Sequence, residues 1–126
     1  MLWFWVGGAA AVGAMLRYGT DQMVAARVLA PRGLVFPLGT FVVNIVGSAL
    51  LGAVAGLVAN TGVDPQWRTV LGVGLAGGLT TFSTWTYETV RLLEDGSLPE
   101  AAANIGVSLA VGLAAASAGY AMTGLL

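Results

Sequence analysis

The sequence has no cysteine, no histidine and no lysine. Without thiols or imidazoles there are no disulfides, no cysteine nucleophile, no histidine base and none of the common zinc sites. The missing cysteine says nothing about redox compartment. Charge is scarce as well. Charged residues make up 9% of the 126, against about 25% in soluble domains, which excludes an ordinary water-soluble globule. The net charge of −1, with five arginines against six carboxylates, offers nothing to attract nucleic acid. No nucleophile–base set or metal cluster is visible, so the chain does not read as an enzyme. The opening MLWFWVGG lacks a basic segment, so it reads as the start of a retained span rather than a secretory signal.

What the chain does have is apolar length: 57% of its residues are hydrophobic and the mean hydropathy is +0.85. A span needs roughly 20 apolar residues, and four segments qualify. The first starts near Trp3 and continues past Arg17 towards Arg27. The second lies in the uncharged stretch from Gly33 to Val63, the third runs from about Trp67 to Leu93, and the fourth follows Pro99-Glu100 to Leu126. Pro- and Gly-containing connections separate them at Ala30–Gly33, Asn60–Pro65 and Glu94–Pro99. The fold class expected is an all-α membrane protein, with residues 1–126 forming a single four-helix transmembrane domain.

Arginine placement orients the chain weakly. Arg68 stands on one side and Arg27, Arg32 and Arg91 on the other, a small bias under the positive-inside rule. It mildly favours termini outside and is compatible with insertion in both orientations. Four helices of this size scarcely enclose a pore alone. Small-residue pairs recur at Gly52/Gly56, Gly74/Gly78 and Ser108/Gly112, the spacing that lets membrane helices approach closely. At least a homodimer is expected.

The most unusual stretch is Gly74–Glu88, GLAGGLTTFSTWTYE. A lipid-facing helix would hold leucine and valine, whereas this one is rich in glycine, threonine and serine. Backbone leaves the helix at membrane depth only where protein or a water-filled cavity satisfies it. The Gly-Gly-Leu-Thr-Thr step therefore predicts a mid-span break facing protein, a candidate ion or ligand site.

Other spans carry polar residues on defined faces. Thr40, Asn44 and Ser48 are spaced i, i+4, i+8 and share one side. An isolated Asn at that depth is more often helix–helix glue than a ligand; the flanking hydroxyls move the balance towards a polar track. Asn104 and Ser108 repeat the arrangement, with Asn104 near enough to the span's start to be interfacial and Ser108 the better candidate for a buried role. Arg17 and Asp21 can pair along one face. Arg17 either snorkels to headgroups or raises the local anion concentration at a pore mouth. Phe82 and Trp85 share a face, as packing or as ring edges whose partial positive charge suits a small anion. Glu88 reads as an interfacial carboxylate paired with Arg91.

Three motifs in order, GGAAAVGAMLRY, GTFVVNIVGS and GGLTTFSTWTYE, closely resemble the small fluoride channels of the CrcB/Fluc family, over nearly the whole chain. The resemblance implies an antiparallel, dual-topology homodimer in the inner membrane with two fluoride pores, though some members pair unlike subunits. It implies a third helix broken at Gly77–Thr80. It also implies a structural sodium ion at the dimer centre, held by the backbone carbonyls of Gly77 and Thr80. The pore lining carries over to Asn44, Phe82, Trp85 and Ser108, with Thr40 and Thr84 as further hydroxyls and Arg17 as the first-span arginine at an anion vestibule. The activity implied is passive export of cytoplasmic fluoride, protecting the cell against its toxicity. Two departures stand out. Trp85 replaces the second phenylalanine of a pair, and Asn104 and Gly112 replace a frequent tyrosine and an occasional hydroxyl.

One competing class is a small proton-coupled multidrug-type exporter, which needs a carboxylate near mid-membrane. Every acidic residue here reads as lying at or near a span end. A non-transporting assembly subunit would explain the small residues but not the three polar motifs.

Overall fold

A computed structural model describes residues 1–29 and 35–125. The expected Ala30–Gly33 connection, Arg32 included, and the final Leu126 lie outside the described residues. Helix α1 spans Leu2–Val24 and continues as a π-helical turn, Ala25–Leu29; α2 spans Leu38–Asn60. A π-helical segment, Arg68–Ala76, leads into the short α3, Gly77–Leu79. Then follow α4, Phe82–Glu94, and α5, Leu98–Thr123. The described residues contain no strand, in agreement with an all-α membrane protein of four helices, the third interrupted.

At 23 residues, α1 and α2 are each about 35 Å long at ~1.5 Å per residue, enough to cross a bilayer's hydrocarbon. Both α2 and α5 are also, on average, apolar enough over the length of a span to cross a membrane. In α1 the run is interrupted by Arg17 and Asp21, and the third helix by its break.

Local chemistry sets the ends. Gly96, at φ +74°, takes the left-handed conformation that closes α4. There Gly96 N–H donates to the Leu93 carbonyl at 3.1 Å and Ser97 N–H to that of Leu92 at 2.8 Å, the paired bonds of a Schellman turn. Pro99 then sits in the first turn of α5, where its missing N–H leaves no bond unmade.

Two close helix pairings organise the molecule. Against α2, α5 packs so tightly that a Cβ on Gly52 would meet the Ala116 carbonyl, and one on Gly119 the Ala49 carbonyl. Against the first half of the third helix, α1 packs similarly, with Gly78 on the Ala10 carbonyl. Gly52/Gly56 and Gly74/Gly78 thus serve contacts within one chain. The spacing predicts close approach but not the neighbour.

Few of the described side chains are buried, and among the apolar ones none is larger than leucine: Val43, Val54, Ala76, Leu79, Leu92 and Ala101. Meanwhile Trp3, Phe82 and Leu113 expose about three-quarters of their surface, at 76%, 76% and 72%. Faces this apolar belong against lipid or another subunit rather than water.

Candidate functional site

The predicted break falls at its carboxyl edge. Gly77 keeps helical dihedrals (φ −63°, ψ −38°), whereas Thr80 (φ −82°, ψ 160°) and Thr81 (φ −148°, ψ 124°) are extended. Two devices hold this kink. Asn44 Oδ1 accepts the Thr81 N–H at 2.8 Å while its Nδ2 donates to the Thr81 carbonyl at 3.1 Å, so one amide engages both backbone groups of the residue at the break. Thr81 caps the new helix, its Oγ1 accepting the Thr84 N–H at 3.2 Å.

These substitutions have a corollary. In an unbroken helix the Thr81 and Thr84 N–H groups would bond the carbonyls of Gly77 and Thr80. Here both donors are taken by side chains, so these two carbonyls are released from the ladder. Arg17 Nη1 donates to the Thr80 oxygen at 3.2 Å, leaving that carbonyl one further lone pair. Arg17 thus reaches across to the break rather than along its own helix to Asp21.

Beside the kink runs an open groove of about 510 Å³. Asn44 and Ser48 from α2, Phe82 and Trp85 from α4, and Ser108 and Gly112 from α5 all line it, as do Gly77 and Thr80. The Phe82 and Trp85 rings lie 5.5 Å apart at 42°. Thr40 and Thr84, read as further hydroxyls, are not among its lining residues. Thr40 is almost wholly buried and donates to Glu88 Oε1 at 2.9 Å; the Thr84 Oγ1 accepts from the Thr81 hydroxyl at 3.0 Å. Glu88 turns to α2 instead of Arg91, and its buried Oε2 meets no donor among the described residues.

Behind the groove, Asn104 is fully buried rather than interfacial. Its carbonyl accepts the Trp85 indole N–H at 3.0 Å, and its Nδ2 donates to Thr89 Oγ1 at 2.8 Å. The N–H that tryptophan adds over phenylalanine is therefore engaged inside the protein. Trp85→Phe is expected to lower stability by about 1 kcal/mol, read as a lower midpoint of denaturant unfolding in detergent; an unchanged midpoint would mean the bond contributes nothing. Thr81 stands out in the sequence only as the end of the Gly-Gly-Leu-Thr-Thr step, and Thr89 does not stand out at all. The signal that could mark Thr81 is a threonine opening an amphipathic run; for Thr89 it is a hydroxyl one turn beyond Trp85.

A family model described as "CrcB-like protein, Camphor Resistance (CrcB)" matches residues 4–120. The chain belongs to the CrcB-like family. Within it, the chain is 47% identical over 119 residues to Fluoride-specific ion channel FluC 1 of Streptomyces avermitilis, covering 94% of this chain and 93% of that protein. It is 45% identical to Fluoride-specific ion channel FluC 1 of Frankia casuarinae, covering 97% and 95%. With Fluoride-specific ion channel FluC of Renibacterium salmoninarum the identity is 38%, covering 97% and 98%. These CrcB-like relatives align over nearly their whole length, so the groove and its break lie inside the shared region.

Proposed function

We propose that this chain is a fluoride-selective channel of the cell inner membrane that exports cytoplasmic fluoride by passive permeation. The observation that carries the reading is the groove. Asn44, Phe82, Trp85 and Ser108, drawn from three helices, face one uncharged lane, in a chain whose relatives are named fluoride-specific channels. Fluoride holds its water tightly, so a pore must offer several close donors in exchange. Asn44 has a second amide hydrogen beyond the one given to Thr81, Ser108 has its hydroxyl, and the two rings offer edges with partial positive charge. None adds a net charge that would trap the ion. Fluoride that enters from an acidic medium as neutral HF dissociates in the less acidic interior, and the negative interior potential drives the anion out. The exporter reading would need a carboxylate in this lane, and none of the described residues that line it is acidic.

The groove is open along one side, and Phe82 is 76% exposed. A second, antiparallel copy would supply the missing wall and give two pores per dimer. The released carbonyls of Gly77 and Thr80 are hard oxygen donors of the kind sodium prefers. Paired with those of the second copy, they would hold one structural ion, whose charge ties the two broken helices together. Arg17, bonded to the Thr80 oxygen, positions that carbonyl and places a positive charge beside the break.

The test is reconstitution of the purified protein in liposomes with fluoride and chloride electrodes. Rapid fluoride release with little chloride release is expected, unaffected by collapsing a proton gradient. Fluoride retention matching that of protein-free vesicles would overturn the reading.

A further inference from the structure

Asn104 does not line the groove, yet it bonds two residues that do. Its amide orientation follows from its neighbours. The Thr89 hydroxyl donates to the Trp85 carbonyl at 2.8 Å, so towards Asn104 the Thr89 oxygen is an acceptor. The group facing it at 2.8 Å is therefore the Asn104 NH2, which leaves Oδ1 facing Ser108 at 3.4 Å. Between those two oxygens only Ser108 carries a hydrogen, so Ser108 is the donor. A helical serine's usual alternative acceptor is the carbonyl one turn back. Here that is the Asn104 carbonyl, already holding the Trp85 indole N–H at 3.0 Å together with the helix's own bond. The Ser108 proton thus points away from the groove, which sees that residue's lone pairs.

We propose that Asn104 is a specificity-determining positioning residue: its amide oxygen holds the Ser108 proton, and only an anion that accepts hydrogen bonds strongly enough recovers that proton for the groove. The inference rests on the channel reading and deepens it. At 3.4 Å the Ser108–Asn104 bond is long, of the strength a single neutral hydrogen bond contributes at most. Fluoride, small and a strong acceptor, gains more from the hydroxyl than it takes to turn it. Chloride, larger and more weakly bonded, does not. Asn104 therefore discriminates between the two anions without touching either. The buried contact with Thr89 is what prevents the amide from flipping and presenting its NH2 to Ser108 instead.

The experiment is a two-by-two set in liposomes, reading chloride and fluoride release side by side: wild type, Asn104→Leu, Ser108→Ala and the double variant. Asn104→Leu is expected to raise the chloride-to-fluoride rate ratio roughly three- to tenfold, the size of one neutral hydrogen bond. In the Ser108→Ala background the same change is expected to leave the ratio where it was. Asn104→Ser, too short to reach the Ser108 hydroxyl, carries the same expectation if the leucine variant does not assemble. A ratio unmoved by both Asn104 substitutions, or moved equally with and without Ser108, overturns the proposal, because packing alone would then explain the residue. A wild type that releases no fluoride overturns the channel reading instead, and this inference with it.

Discussion

Asn44→Asp is expected to bring fluoride release down by more than about a hundredfold, to the level of protein-free vesicles. The substitution changes almost no volume, so its effect is chemical. Asn44 both accepts from and donates to the backbone of Thr81, at 2.8 and 3.1 Å. A carboxylate keeps the first bond but turns the second into two oxygens facing each other, next to the turn that places Phe82. It also removes the amide hydrogen left over for the permeant ion. Most of all, it puts a full negative charge in the lane. At an effective dielectric of 20, two like charges ~4 Å apart repel by about 4 kcal/mol, and each 1.36 kcal/mol is a factor of ten in rate. Asn44→Leu separates the causes, since it removes both backbone bonds without adding charge. It is expected to slow release less than the aspartate does. Wild-type flux in Asn44→Asp would remove this residue from the permeation path.

Much of the architecture behind that prediction could be read from residue order. Apolar runs bounded by Pro and Gly located the helices. The GGLTT step located the break to within a turn, because threonine and glycine together in mid-span serve no lipid-facing purpose. Asn44, Ser48, Phe82, Trp85 and Ser108 each stand out in the sequence, and they line one groove. What could not be read were partners across long separations. Arg17 finds the Thr80 carbonyl 63 residues away, and an i, i+4 carboxylate gave no hint of it. Asn104 looked interfacial by counting from the start of its span. Its burial comes from α4 folding back over α5, a tertiary fact that periodicity does not carry. Glu88 had an arginine at i+3, but its helix turns that face towards Thr40. The small-residue pairs were ambiguous for a related reason. A GxxxG ridge fits any close helix, and here the close helix belongs to the same chain.

That last point yields the second large effect. A Cβ placed on Gly52 would overlap the Ala116 carbonyl oxygen and come within 2.7 Å of its carbon and 2.9 Å of its Cα. All three atoms are backbone of α5, so no side chain can rotate away, and the helices themselves must part. Parting them also loosens the neighbouring contacts of Gly119 on Ala49 and Gly56 on Tyr120, because rigid helices separate along their length. Overpacking of a close interface costs about 1–3 kcal/mol and sometimes more, and the backbone-on-backbone contact puts Gly52→Ala at the upper end of that range. The larger Gly52→Leu is expected to yield no folded protein. Gly112 provides the control on the facing helix. A Cβ there would sit 3.5 Å from Ser48 Oγ and 3.7 Å from Ile45 Cδ1, ordinary contact distances, so Gly112→Ala is expected to fold normally while narrowing the groove. The comparison is made by the fraction of each variant that stays monodisperse in size-exclusion chromatography after graded heating in detergent. Equal survival of Gly52→Ala and Gly112→Ala would mean that the two helices are not pressed together as described, and that Gly52 is small for some reason other than the passage of Ala116.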